Sequence, residues 1–283
     1  MSKQHDPTTD PDVPKGMSIE LLQDLHLLTR DRQLNADARR KLKQIRHLVN
    51  LLKPALDDTL ARAPDPLIVD CGAGKSYLGA LLYELVLGPA GKGSLLAIEA
   101  RPELSAAAAD RAKRFAQSRF RVASGAIAAT DLPSRPSIVT ALHACDTATD
   151  DALALAITSN ADHVGVVPCC QAEVARQLEK SKPADAATAA LFDHPLHRRE
   201  LGSHLTNVIR GLVLEAFGYK VTVTELVGWE HSAKNELILG KRVNKFDRAA
   251  RAQLRAVLDR FGVEPALVRE LAARGLDPRV DPS

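Results

Sequence analysis

Apolar positions along this chain recur with two periods, and their alternation lays out the fold. After a polar lead over residues 1–16, expected to be disordered and carrying Pro7, Pro11 and Pro14, Leu21, Leu22, Leu25 and Leu28 repeat at helical spacing. A second helix is predicted from after Asn35 to about Leu52, with Leu42, Ile45, Leu48, Val49 and Leu52 inward and Pro54 as its stop. These two make an N-terminal helical extension over 17–60. Short runs of branched residues then alternate with helical stretches across 61–243. Strands are predicted over 67–70, 94–100, 120–123, 138–143 and 163–167. Helices follow over 77–87, 102–117, 149–159 and from Glu173 onward. Lys182-Pro183 and His194-Pro195 mark an insertion, and a further helix is predicted over 207–217. Residues 219–227 and 235–240 alternate like a closing hairpin. Helical patterns over 246–261 and 265–274 form a C-terminal helical tail within 244–283.

Strands alternating with helices imply an α/β fold: a parallel sheet with right-handed crossovers and helices on both faces. The late hairpin would add one antiparallel strand near the edge. This seven-stranded, Rossmann-like alternation resembles the class I S-adenosylmethionine (SAM) methyltransferase sheet.

Composition narrows the classes without choosing among them. At 45% apolar the chain can bury a core, and at 4% aromatic that core is aliphatic and alanine-rich. A net charge of +3 permits a nucleic-acid partner without demanding one. Four cysteines make no disulfide framework, the first residues lack the apolar core of a secretion signal, and no run is long enough to span a membrane. A reducing cytoplasm is the expected compartment.

The first strand runs into Asp70-Cys71-Gly72-Ala73-Gly74-Lys75-Ser76, where two glycines let the backbone bend and approach a ligand at a helix N-terminus. A phosphate-binding P-loop would need glycine where Val69 stands. A dinucleotide fingerprint would need glycine at Tyr77. The reading left is the Asp-x-Gly-x-Gly turn of SAM enzymes, with the ligand carboxylate on the loop and Asp70 facing its ammonium. A strand–helix turn that merely packs is the alternative. Glu99 ends the second strand, where a carboxylate accepts from both ribose hydroxyls, and Ala100 follows it. After the third strand, Ala126 stands where related enzymes carry an adenine-binding Asp, leaving backbone groups or Asp131 for that contact.

Strand four ends in His143-Ala144-Cys145-Asp146 and strand five in Pro168-Cys169-Cys170-Gln171, so Cys71, Cys145, Cys169 and Cys170 share one rim with His143. A zinc site would need better spacing than this, with no Cys-x-x-Cys pair and adjacent Cys169 and Cys170 pointing apart; no metal is expected. Small soft side chains lining a pocket, or ordinary buried cysteines, are the other readings.

The glycine turn, the segment His143-Ala144-Cys145-Asp146-Thr147-Ala148-Thr149-Asp150, the Cys-Cys turn and Trp229-Glu230-His231-Ser232-Ala233-Lys234-Asn235 together resemble one methyltransferase subfamily. It comprises the domain of tRNA acceptor-stem 2′-O-methyltransferases and of glutathione-S-transferase-C-terminal-domain-containing proteins. Asp146 stands for the family's Gly, and Gln171 where the tRNA enzymes tend to carry His.

The combined expectation is a SAM-dependent methyltransferase. Asp70, Cys71, Gly72, Ala73, Gly74, Glu99, Ala100, Ala126 and His143 would hold the cofactor, S-adenosyl-L-methionine. His143 would serve as base and Asp146 would orient substrate or the cofactor amine. Cys169, Cys170, Gln171, His194, Arg198, Lys234 and Asn235 would lie on the substrate side. The resemblance points to RNA, as does a basic flank of Arg30, Arg32, Arg39, Arg40, Lys41, Lys43 and Arg46 against Asp31 and Asp37. A solvated helix face explains that flank equally. A protein or small-molecule methyltransferase and a catalytically silent SAM-binding module stay open, and oligomeric state is not legible.

Overall fold

The computed structural model describes residues 6–142, 144, 147–168, 171–181, 185–226 and 236–281. Seven strands are β1 Leu67–Cys71, β2 Ser94–Glu99, β3 Phe120–Ser124, β4 Ile138–Leu142, β5 His163–Val167, β6 Tyr219–Glu225 and β7 Glu236–Arg242. They form one sheet in the order β3-β2-β1-β4-β5-β7-β6. β1, β2 and β3 pair in parallel. β7 runs antiparallel to both β5 and β6, so the antiparallel strand lies one in from the edge. The chain divides into two compact units, one built on residues up to Ile138 and one on Val139 to Glu225 with the C-terminal part.

The first unit begins differently from the disordered lead expected. Among its described residues Pro7–Thr9 form a short 3-10 turn, and Val13 and Met17 are buried. Arg39 pairs with Asp10 at 2.7 Å and also with Asp12. Opposite charges about thirty residues apart draw the lead onto the helical extension, a link no local pattern carries. Helix Ile19–Asp24 starts at Ser18, whose side chain caps Leu21 N–H. Helix Ala36–Arg62 does not stop at Pro54. Proline deletes one backbone donor there, yet the turns beyond it stay helical because Leu56 and Thr59 are buried and exposed pairs Lys53–Asp57 and Arg62–Asp58 span i to i+4. Lys92 Nζ donates to the carbonyls of Leu60 and Ala63, placing a cation at the helix C-terminus.

After β1, helix Tyr77–Leu82 widens through a π turn at Tyr83–Leu87 and ends at Gly88–Ala90, at the Gly88-Pro89 stop that the sequence marks. Gly79 sits where a Cβ would come within 2.8 Å of Ser76 Oγ and 3.1 Å of the Phe120 ring. The helix therefore lies closer to β3 than any larger residue would allow.

In the second unit, helix Thr147–Thr158 follows β4 and helix Glu173–Lys180 follows β5. The predicted insertion at His194-Pro195 is instead the start of a 22-residue helix, Pro195–Ala216. Proline at the first turn loses no hydrogen bond there, so it opens this helix rather than breaking the chain. Gly202 lets this helix approach within 2.7 Å of the Ala175 backbone. Helices Arg248–Phe261 and Ala266–Ala273 form the tail. Arg251, buried at 2% exposure, pins its end by donating to the carbonyls of Pro278, Val280 and Ala216.

Candidate functional site

The glycine turn takes its shape from three left-handed residues in five. Gly72 has φ 63°, Gly74 φ 57° and Ser76, a non-glycine, φ 57°. Ala73 N–H donates to the Ile98 carbonyl at 3.0 Å and Ser76 N–H to the Ala73 carbonyl at 2.7 Å, so the loop is stitched to the end of β2 and closed on itself. Asp70 and Cys71 are buried at the end of β1. Ala80 N–H already bonds the Ser76 carbonyl, and the helix opens from that point with its first N–H groups toward the loop.

Glu99 closes the turn from the neighbouring strand. Its Oε2 accepts from Gly74 N–H at 2.6 Å, and its Oε1 accepts from Arg101 N at 3.0 Å and Arg101 Nε at 2.8 Å. Burial pushes this carboxyl up, but the hydrogen bonds and charge of Arg101 and the Gly74 N–H outweigh it and hold Glu99 below the ordinary glutamate range. The ionised form is thus the resident one. The Arg101 side chain is 61% exposed while the Glu99 side chain is buried, so Arg101 is the partner that can swing away and leave the carboxylate to a ligand hydroxyl. Gly125 N–H bonds the Glu99 carbonyl at 3.1 Å. A Cβ at Gly125 would meet nothing within 4 Å, and Ala100 and Ala126 are exposed beside this open ground.

An acidic pH series checks the charge state. Stability from the lowered Glu99 is complete above its ordinary value of 4.5 and is lost as pH falls through the lower folded value. Thermal midpoints of the wild type and Glu99→Gln should converge on acidification below 4.5. Curves that stay parallel would mean the carboxylate carries no charge-dependent hold on the loop.

Sequence reading did not find Arg101, Gly79 or Arg111. Arg111 is buried; its Nε donates to Asp24 at 2.6 Å and its Nη1 to the Lys75 carbonyl at 3.0 Å, while Arg114 also pairs with Asp24. The helical extension thereby braces the glycine loop from behind. Only the acid–base complementarity of Asp24 and Arg111 could have signalled it, and their separation in sequence hides the pair.

On the predicted substrate side, Gln171 is buried, donating to Asn207 at 3.0 Å and accepting from Ser203 at 2.9 Å. His194 occupies the N-cap position of helix Pro195–Ala216 without a side-chain capping bond, and stands edge-to-face with His197 at 5.5 Å. Arg198 is engaged by Glu179 at 3.3 Å and by the Phe192 and Asp193 carbonyls. His143, Asp146, Cys169, Cys170, Lys234 and Asn235 lie outside the described residues, as does Cys145. Among the described residues no group of three His, Cys, Asp or Glu is placed to hold a metal ion, and no helix is long and apolar enough to cross a membrane.

The elements brought together are a glycine loop with two left-handed glycines, an ionised carboxylate one strand over, and open ground beside Gly125. Residues 40–177 match a protein-family model described as a methyltransferase domain. No curated protein matches the chain. Among solved structures, the chain is similar to an rRNA methylase from Streptococcus thermophilus at 10% identity, over 69% of this chain and 95% of that one, with a TM-score of 0.45. It is similar to magnesium protoporphyrin IX methyltransferase from Synechocystis PCC 6803 at 12% identity, over 79% and 93%, with a TM-score of 0.47. A SAM-dependent methyltransferase from Aquifex aeolicus aligns at 15% identity, over 69% and 94%, with a TM-score of 0.39. By the family match, residues 40–177 carry a SAM-dependent methyltransferase domain, and the sheet has the order 3-2-1-4-5-7-6.

Proposed function

We propose that this enzyme methylates RNA. The observation that carries the reading is a surplus of positive charge on, and just before, a helix packed against the one that leaves the glycine turn. Helix Ala36–Arg62 packs against Tyr77–Leu82, the helix that leaves the glycine turn. Its Arg40 and Lys41 share the single carboxylate of Asp37, at 3.4 and 2.7 Å, all three exposed. Arg39 and Lys43 face Asp10 and Asp12, and Arg46 donates to the Pro11 carbonyl at 2.6 Å. Seven bases from Arg30 to Arg46 stand against four acids, Asp10, Asp12, Asp31 and Asp37. Exposed pairs of this kind exchange readily for phosphate oxygens, and counterion release favours the exchange.

S-adenosyl-L-methionine supplies a methyl group already activated on a sulfonium. In our reading the glycine turn at Gly72–Gly74 lies against its carboxylate, with Asp70 toward its ammonium and Glu99 toward its ribose hydroxyls. Ala100 and Ala126 flank the adenine. The protein's own work is then to align the acceptor and take its proton. His143, next in sequence after β4, is the proposed base, with Asp146 to orient the substrate or the cofactor amine.

The test combines calorimetry with methyl transfer. Heat is expected on titrating SAM or S-adenosylhomocysteine, and label from methyl-labelled SAM is expected in total RNA. Label confined to total protein or to small metabolites would overturn the RNA reading. Tight cofactor binding with no transfer to any fraction would make the chain a silent binding module.

A further inference from the structure

In open α/β sheets, ligands bind beyond the carboxyl ends of the parallel strands. Three segments of the second unit reach that rim: the turn after β5, the start of antiparallel β7, and the first turn of helix Thr147–Thr158. One buried side chain joins two of them directly and the third through Arg210. Asn207, 5% exposed on helix Pro195–Ala216, accepts at Oδ1 from Gln171 Nε2 at 3.0 Å and from Arg210 Nη1 at 3.2 Å. Its Nδ2 donates to Glu236 Oε2 at 2.9 Å. Arg210 in turn donates from Nε to Asp150 at 2.8 Å. The amide's orientation is fixed by its neighbours, because a guanidinium can only donate and a carboxylate accepts.

We propose that Asn207 is a positioning residue for the acceptor: it sets the turn after β5 and the start of β7 in one geometry against the helix that follows β4. The proposal rests on the reading that this rim receives the methyl acceptor. Its logic is that of any network whose members are all satisfied. Each hydrogen bond restricts its neighbour, and none survives a shift of one segment alone. A short polar residue on a long buried helix is a fixed reference point, whereas the three segments it holds are strand ends and a helix start.

The test reverses one hydrogen bond. Asn207→Asp keeps the acceptor for Gln171 and Arg210 but turns the contact with Glu236 into two facing carboxylates. Adding Glu236→Gln restores a donor–acceptor pair in the opposite sense. Methyl transfer is followed on whichever fraction the wild type labels, S-adenosylhomocysteine affinity by calorimetry, and backbone order by hydrogen exchange. Asn207→Asp should lower kcat on the order of 10- to 100-fold. Exchange should rise at residues 171–176 and 236–240, with cofactor affinity and exchange at 70–76 unchanged. The double variant should recover most of both. A single variant at the wild-type rate, or a double variant that recovers neither rate nor protection, would overturn the proposal. Label in protein or metabolites rather than RNA would overturn only the RNA reading, because the variant series is then read on that acceptor. A wild type that labels nothing would overturn both.

Discussion

Replacing Glu99 by alanine should weaken S-adenosylhomocysteine binding on the order of 100-fold. A hydrogen bond to a charged acceptor contributes about 1.5–3 kcal/mol, and two ribose hydroxyls on one carboxylate give about 3 kcal/mol at the low end, or about two decades of affinity. The carboxylate is ready for that role before any ligand arrives. It is 5% exposed, ionised, and fixed by the Gly74 N–H at 2.6 Å. One of its partners, the Arg101 side chain, is exposed.

The same bond to Gly74 gives the loss a second route, since alanine also releases the glycine loop. A ligand lacking one ribose hydroxyl separates the two. If Glu99 grips the ribose, the wild type should bind the 2′-deoxy analogue of S-adenosylhomocysteine about tenfold more weakly than the parent, by the loss of one charged hydrogen bond. Glu99→Ala should bind both ligands alike, as a double-mutant cycle between protein and ligand requires. Discrimination that persists in the variant would assign Glu99 to the loop alone and leave the ribose to other groups.

The parts of this architecture that sequence reveals are those set by local periodicity. β5 is legible to the residue at 163–167, because three valines in five residues lie between turn signals. The same holds for the glycine turn, whose backbone needs leave few residue choices. Misreadings arose where one residue has two physical uses. Proline is a stop in mid-helix and a good first residue, so local pattern alone reads both Pro54, inside Ala36–Arg62, and Pro195, at the head of Pro195–Ala216, as breaks. Pairings distant in sequence were invisible altogether. Nothing local marks Asp24 as the partner of Arg111, 87 residues away, or Asp150 as that of Arg210, 60 away. Those pairs are what brace the loop and the rim. The left-handed Ser76 was hidden for another reason: serine seldom adopts φ 57° by preference, and only the closed Ala73–Ser76 turn imposes it.

Arg210→Met should destabilise the fold by about 3–5 kcal/mol, the cost of removing one partner from a buried ion pair. Both members qualify: Arg210 is 1% exposed and Asp150 2%, with Nε 2.8 Å from Oδ1. Methionine fills much of the arginine stem, so a cavity contributes little and the uncompensated carboxylate contributes most. Burial already pushes the Asp150 carboxyl up against the opposing Arg210 charge. Without the guanidinium it rises further, and the folded variant then binds a proton that the unfolded chain, at the ordinary 3.8, does not hold near neutrality. The penalty should therefore be larger at pH 8 than at pH 5, the sign expected when the folded state binds more protons than the unfolded. Urea midpoints at the two pH values measure it. Asp150→Leu combined with Arg210→Met removes both charges and should recover most of the loss, since an apolar pair of similar volume replaces a buried ion pair at little cost. A single variant within about 1 kcal/mol of wild type, or a double variant no better than the single, would show that the pair is solvated in practice and that the rim is held by Asn207 and its amide partners instead.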